Sequence, residues 1–147
     1  MEKFLIVQKK KIHRMYCDGA CRGNGSKNAK ASVGVVVYDE NDNIVFEISE
    51  CIGVGVTNNQ AEYMSVLMGM KKAYGEYGIE EMEVYVDSKL VCEQVMGRWR
   101  INNIILRGIR NSIVEFKSNY KYFHISHIPR SMNEYADELA NRALDVK

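Results

Sequence analysis

The stretch VGVVVYDENDNIVFEISECI, residues 33–52, decides the fold class of this chain. Its first six residues are mostly β-branched, which predicts a strand. Turn-forming residues 39–43 come next, and residues 44–52 then alternate between apolar and polar side chains, which indicates the returning strand of a hairpin. Together with the loosely alternating residues 9–17, the hairpin predicts an antiparallel meander in the first third of the chain.

After Thr57 the apolar spacing changes, and helices are expected to alternate with strands. The pattern predicts helices from residue 59 to 75 or 78, from 87 or 88 to 97, around 105–116 and from about 131 to 144, with strands over 83–86 and 120–128. Antiparallel strands followed by strand–helix alternation predict an α/β fold with one mixed sheet flanked by helices. The chain has no linker or composition break, so we expect a single domain over residues 1–147.

The composition is that of an ordinary globular domain, with 46% hydrophobic and 27% charged residues and one proline. It excludes disordered and low-complexity classes. No apolar run approaches the roughly 20 residues of a membrane helix. Apolar residues 4–7 precede Lys9, Lys10 and Lys11, the reverse of the order in a secretory signal. These features predict a cytoplasmic protein with no membrane partner.

The four cysteines are Cys17, Cys21, Cys51 and Cys92. No second close pair accompanies Cys17 and Cys21, and His13 alone does not complete a zinc site. We expect free, buried thiols in a reducing compartment.

Four carboxylates stand out because they fall at the ends of predicted elements. Asp18 ends a strand before a glycine-rich loop, Asp87 follows a strand, and Glu62 and Asp137 lie on helices. Each has an ordinary alternative role. Asp18 would be a turn residue, Glu62 the capping-box partner of Asn59, Asp87 a helix cap, and Asp137 one side of a salt bridge to Arg or Lys.

Placement at strand ends also suggests a metal site. Asp18 and Asp87 leave predicted strands at their carboxyl ends, where ligands bind in mixed α/β sheets. Four acids in one cleft would repel each other unless divalent cations neutralised them, and Mg²⁺ prefers a few carboxylates with water and phosphate oxygens. Two such ions about 4 Å apart can activate a water and stabilise the leaving oxygen of a phosphodiester. Whether the four acids converge stays open at this point.

Four segments, in order, resemble the motifs of type 1 ribonucleases H. They are residues 16–25 (YCDGACRGNG), 57–62 (TNNQAE), 85–88 (YVDS) and 127–140, from HIPR through Asn133 to DELA. The resemblance implies a ribonuclease H-like fold, with a five-stranded mixed sheet whose first three strands are antiparallel. It implies an endonuclease that hydrolyses the RNA strand of RNA–DNA hybrids and leaves 5′-phosphate and 3′-hydroxyl ends.

The same resemblance assigns the chemistry to particular residues. It implies that Asp18, Glu62, Asp87 and Asp137 bind two Mg²⁺ ions, with Mn²⁺ as a possible substitute. His127 matches a mobile histidine that assists proton movement or product release, and its alternative is a strand-end histidine with no role.

The resemblance further implies contacts with both strands of a hybrid. Asn24, Asn58 and Asn59 match residues that contact the 2′-hydroxyls of RNA in the minor groove. Thr57 and Asn103 match positions that hold a phosphate of the DNA strand. The alternative for all five is ordinary loop and cap chemistry.

The chain departs from the longer members of this family after the third acid. Those members carry a basic helical protrusion there, whereas only residues 97–102 separate the two predicted helices in this chain. Arg98, Trp99 and Arg100, with Arg107 and Arg110, would supply a reduced backbone-binding patch. The alternative is a solvated helix face with Trp99 in the core.

The charge balance excludes a simple polycationic nucleic-acid coat, since the formal net charge is +1. Twenty Lys and Arg residues stand against nineteen acids, so setting the four candidate acids aside leaves five excess positive charges. That excess predicts salt-sensitive binding to phosphates.

The sequence therefore predicts a metal-dependent ribonuclease H that acts as a monomer without a small-molecule cofactor. One alternative is a nuclease of the same fold that prefers double-stranded RNA. The other is a non-catalytic nucleic-acid-binding module. The complete acid set argues against the binding module, because a protein that only binds phosphates gains nothing from four clustered negative charges.

Overall fold

The structure is a computed structural model that describes residues 12–145. The apolar residues 4–7 and the start of the segment predicted as a strand over 9–17 lie outside the described residues. The elements are β1 (His13–Arg22), β2 (Lys30–Tyr38), β3 (Ile44–Val54), α1 (Asn58–Tyr77), β4 (Glu81–Val86), α2 (Lys89–Val95), α3 (Ile104–Lys117), β5 (Tyr122–His127), a 3₁₀ turn (Arg130–Met132) and α4 (Glu134–Asp145).

The five strands form one mixed sheet in the order β3-β2-β1-β4-β5. Strand β2 pairs antiparallel with both β1 and β3, while β4 pairs parallel with β1 and β5. The predicted α/β fold, with a five-stranded mixed sheet whose first three strands are antiparallel, is confirmed. The hairpin expected over residues 33–52 is the β2–β3 pair.

The helices cover the two faces of the sheet because neighbouring strand residues point to opposite sides. Helix α1 packs where Gly69 meets Met15 and Val35, whereas α4 packs on the other side, against Gly34. The main core fills the α1 side and continues to α2 and α3. Its fully buried side chains include Met15, Val33, Val35, Tyr63, Met70, Val84 and Ile113.

Two predicted element boundaries are wrong, the end of the first strand and the start of the last helix. Strand β1 continues to Arg22 rather than ending at Asp18, because β2 reaches back to Lys30 and pairs with it. The predicted last helix is interrupted at Asn133, whose φ of −123° lies outside the helical range. Helix α4 begins only after that residue.

The thiols are free, and two of them are buried, Cys17 and Cys92. The expectation of burial is wrong for Cys51, which is exposed because it lies near the end of the edge strand β3. Cys21 is partly exposed. Across residues 12–145, no helix combines the length and apolar character that crossing a membrane requires.

Candidate active site

Two of the candidate acids meet because β1 and β4 run side by side in the same direction. Their last paired residues are Cys17 and Val86, so Asp18 and Asp87 come next at one end of the pair. Asp18, Glu62 and Asp87 each place a carboxylate oxygen within 4.8 Å of the other two. The convergence that the sequence left open is therefore present for these three acids.

Glu62 reaches this point because α1 lies directly on β1. A Cβ atom on Gly19 would lie 2.4 Å from the backbone nitrogen of Glu62 and 2.5 Å from the carbonyl carbon of Ala61. Only glycine permits so close an approach of the two backbones. Gly19 therefore brings the second turn of α1 against the strand that carries Asp18.

The capping roles considered for Glu62 and Asp87 are wrong. Helix α1 is capped by Thr57, whose hydroxyl accepts from Gln60 N–H while the Gln60 side chain accepts from the backbone N–H of Thr57. Helix α2 is capped by Ser88, which accepts from Val91 N–H. Since other residues cap these helices, both carboxylates are free for the cluster.

Asp18 is not a turn residue either, since it lies inside β1 opposite Gly34. Its Oδ1 accepts a hydrogen bond from Gly19 N–H at 3.0 Å. The side chain is 3% exposed and that of Glu62 is 6% exposed, so both carboxyl groups are largely removed from water.

Asp137 lies in the first turn of α4 and is not one of the three acids whose oxygens lie within 4.8 Å of one another. Burial and the charges of Glu62 and Asp87 raise the pKa of Asp18 most, and Asp137 is near enough to add to that rise. The expected alternative, a salt bridge to Arg or Lys, is wrong for the described part of the chain, where Asp137 Oδ1 instead accepts from Asn141 Nδ2 at 3.1 Å.

Burial and mutual repulsion dominate the electrostatics of the site. Loss of hydration raises the pKa of Asp18, and the negative charges of Glu62 and Asp87 raise it further. Burial likewise raises the pKa of Glu62, whereas the nearby Asp18 carboxyl group and the Arg130 charge act to lower it. Uncompensated, these carboxylates destabilise one another.

The donor set fits a divalent cation. Glu62 Oε2 is buried and has no hydrogen-bond partner among the described residues. Such an orphaned oxygen is costly unless something binds it. Carboxylate oxygens are the ligands that Mg²⁺ and Mn²⁺ prefer in proteins.

His127 is exposed at the end of β5, opposite Val86 of β4. It therefore stands at the same end of the sheet as Asp87, which follows Val86.

The residues expected to contact the RNA strand lie at the start of α1 and in the β1–β2 loop. Asn58 N–H donates to Asn24 Oδ1 at 3.1 Å, which ties the loop to the helix. The amide nitrogen of Asn24 remains available for a ligand. Asn59 and Thr57 are exposed beside them.

Asn103 and the expected basic patch lie around the segment between α2 and α3. Asn103 caps α3 by accepting from the N–H groups of Ile105 and Leu106. Arg98 pairs with Glu93 at 2.6 Å, while Arg100 is exposed. The alternative that placed Trp99 in the core is wrong, since it is 43% exposed, with the Lys89 ammonium group 5.8 Å from its ring centre.

Sequence reasoning gave no role to two residues that act on the cluster. Arg130 supplies the positive charge that lowers the pKa of Glu62. Asn133 donates to Asp87 Oδ2 at 3.0 Å. Both lie within the fourth motif, but their contacts cross from the β5–α4 connection to other elements, and no local pattern encodes them.

A mixed sheet in this strand order, with acids that meet at the shared end of the parallel strands β1 and β4, defines a ribonuclease H-like domain. Comparison with known proteins agrees with this class. The family model described as "Reverse transcriptase-like" matches residues 16–143. Ribonuclease HI of Halobacterium salinarum is 40% identical over 130 residues, which are 88% of this chain and 63% of that protein.

Solved structures give the same result. The crystal structure of RNase H1 from Halobacterium salinarum matches with a TM-score of 0.84 and 39% identity, covering 91% of this chain and 98% of that one. LC11-RNase H1, solved in complex with an RNA/DNA hybrid, matches with a TM-score of 0.80 and 34% identity over 90% of this chain and 96% of that one. This chain belongs to the reverse transcriptase-like family, and within that family to the ribonuclease H-like domains.

Proposed function

We propose that this protein is a metal-dependent ribonuclease H that hydrolyses the RNA strand of RNA–DNA hybrids and leaves 5′-phosphate and 3′-hydroxyl ends. The observation that carries the proposal is the convergence of Asp18, Glu62 and Asp87 within 4.8 Å, two of them buried. The hybrid bound to LC11-RNase H1 supports the choice of substrate.

In this proposal Asp18, Glu62, Asp87 and Asp137 hold two Mg²⁺ ions, for which Mn²⁺ can substitute. Bound divalent cations would supply Lewis acidity at the scissile phosphate and an activated water. The protein contributes placement, because β1, the end of β4 and α1 bring three acids together, and α4 would supply Asp137. His127, exposed at the neighbouring strand end, would move a proton or assist product release.

Recognition of the two strands is assigned to separate surfaces. Asn24, Asn58 and Asn59 offer amide groups to the 2′-hydroxyls of the RNA strand, which DNA lacks. Thr57 and Asn103 would hold a phosphate of the DNA strand, each with its side-chain oxygen already serving a helix cap. Arg98, Trp99 and Arg100 would extend the phosphate contact along the backbone of the nucleic acid.

The described residues share one sheet and one main core, which supports a single catalytic domain. We include in the proposal that this domain acts as a monomer in the cytoplasm and needs no small-molecule cofactor. The chain spans 63% of the length of Halobacterium ribonuclease HI. We therefore propose, rather than conclude, that it has the activity of that whole protein.

The substrate class is tested by incubating the purified protein with labelled RNA–DNA hybrid, double-stranded RNA and double-stranded DNA, each with Mg²⁺, Mn²⁺ or EDTA. The proposal expects metal-dependent cutting of the hybrid alone. Cutting of double-stranded RNA at a comparable rate would show the broader nuclease. Binding of the hybrid in EDTA with no cutting in either metal would show the binding module.

A further inference from the structure

A buried amide stands directly behind the carboxylate cluster. Asn133 is 1% exposed and lies between the 3₁₀ turn and α4. Its Nδ2 donates to the carbonyl oxygen of Cys17 at 2.8 Å and to Asp87 Oδ2 at 3.0 Å. Cys17 lies in β1 beside Asp18, and Asp87 directly follows β4.

The contacts of Asn133 connect three acid-bearing segments. Cys17 immediately precedes Asp18 in β1, and Asp87 follows β4. The carbonyl oxygen of Asn133 accepts from Asp137 N–H at 3.1 Å, in the first turn of α4. One residue therefore fixes the spacing between β1, β4 and α4 at the point where their acids meet.

The orientation of the amide follows from its partners. Turning the group over would set its oxygen against two acceptor oxygens, so the NH₂ group must face Cys17 and Asp87. The amide oxygen is then left buried without a hydrogen-bond partner among residues 12–145. An unpaired buried oxygen costs stability, so packing alone does not account for an amide at this position.

We propose that Asn133 is a positioning residue for the metal site, an inference that rests on the proposed function. By holding one oxygen of Asp87, it restricts the rotation of that carboxylate and keeps it aligned with Asp18 and Glu62. By its bond to Cys17, it also sets the position of α4, and with it Asp137, relative to β1. Groups that orient metal ligands strengthen metal binding in this way.

The test compares Asn133→Leu, which keeps the size of the side chain but removes its donors, with the wild type. Gln94→Leu is the matched control, because Gln94 is another buried amide, bonded to Tyr63 and to the carbonyl oxygen of Arg100. Mn²⁺ affinity is measured by calorimetry on metal-stripped protein, without nucleic acid. Melting temperature in EDTA reports folding for each variant.

We expect Asn133→Leu to weaken Mn²⁺ binding by about tenfold or more. Gln94→Leu should lower the melting temperature yet leave Mn²⁺ affinity unchanged. With hybrid as substrate, Asn133→Leu should lower kcat and raise the Mg²⁺ concentration for half-maximal rate, with KM for the hybrid unchanged. If Asn133→Leu does not fold, Asn133→Ala gives the same comparison with a smaller side chain.

A folded Asn133 variant whose Mn²⁺ affinity equals that of the wild type would overturn the positioning role while leaving the nuclease proposal standing. Conversely, weakened Mn²⁺ binding in the variant, together with a wild type that cleaves no hybrid, would support the positioning role and reject the proposed function. The two proposals therefore fail separately.

Discussion

The backbones of β2 and α4 touch at Gly34 and Ala136. A Cβ atom on Gly34 would lie 2.1 Å from the carbonyl oxygen of Ala136 and 2.5 Å from the nitrogen of Ala140. Asp137 follows Ala136, so this contact sets how deeply the helix places Asp137 over the sheet. Gly34 also pairs with Asp18 in the β1–β2 ladder. The part of β1 that carries Asp18 therefore lies near the turn of α4 that carries Asp137.

Replacing Gly34 with alanine should therefore both destabilise the protein and disturb the site. The added methyl group meets backbone atoms that cannot rotate away, and we expect a loss of about 1–3 kcal/mol or more in the free energy of unfolding. Gly108→Ala in α3 is the control, because nothing lies within 4 Å of its Cβ position. That change should stabilise the helix by about 1 kcal/mol at most. Urea titrations of both variants measure the difference, and a Gly34→Ala protein as stable as the wild type would contradict the close contact.

Replacing the buried carboxyl group of Asp18 with an amide should stabilise the metal-free protein. Burial and neighbouring acids raise the pKa of Asp18, so folding favours its protonated form. Its contribution to stability is then present at acidic pH and lost as the pH rises. Asp18→Asn should therefore melt higher than the wild type in EDTA at neutral pH, with a smaller difference at acidic pH.

The comparison of melting temperatures in EDTA at neutral and acidic pH needs a control variant that also loses one negative charge. Glu40→Gln serves, since Glu40 is exposed in the β2–β3 turn. It should show no such pH-dependent gain. Adding Mg²⁺ should raise the melting temperature of the wild type more than that of Asp18→Asn. A difference between Asp18→Asn and wild type that does not change with pH would show that the ionisation of the buried Asp18 carboxyl group is not its cause.

Arg100 should contribute to hybrid affinity without affecting the chemical step. It is exposed beside Trp99, and its backbone is anchored by Gln94. In a catalytically inactive Asp87→Asn background, Arg100→Ala should weaken hybrid binding and reduce the slope of log K against log salt by about 1. Arg142→Ala, on α4 and paired with Glu138, should leave both unchanged. Equal slopes for Arg100→Ala and the parent would exclude a phosphate contact.

Thiol reactivity should follow the burial of the cysteines. Burial raises the pKa of Cys17 and of Cys92, which suppresses their thiolate forms, whereas Cys51 is exposed. Alkylation of the native protein, mapped by mass spectrometry, should label Cys51 first and reach Cys17 and Cys92 only after unfolding. Early labelling of Cys17 would mean that β1 is not packed as described.

Local patterns predicted the elements well and their junctions less well. The hairpin over residues 33–52 is encoded by β-branched residues and turn chemistry that neighbouring positions share. Asp18 was expected at a strand end, but pairing with β2 carries β1 four residues further, and only the partner strand determines that. The caps at Thr57 and Ser88 each lie a residue or two from the positions first considered.

The site was predictable as a set of residues but not as an arrangement. The four acids could be named from motif resemblance, whereas the convergence of Asp18, Glu62 and Asp87 depends on the parallel register between β1 and β4 and on the close contact of Gly19 with α1. Asn133 bonds to atoms of two strands that are distant in the chain, at separations of 116 and 46 residues. Sequence spacing carries no signal for such contacts.

The carboxylate cluster is expected to perform metal-dependent hydrolysis of RNA paired with DNA. The most direct measurement is strand-resolved cleavage of a hybrid labelled separately on each strand, by the wild type and by Asp87→Asn, in Mg²⁺. We predict that the wild type cuts only the RNA strand, that EDTA abolishes cutting, and that Asp87→Asn is folded but inactive. An Asp87→Asn protein that retains most of the activity, or a wild type that cuts the DNA strand equally, would show that this cluster is not the active site of a ribonuclease H.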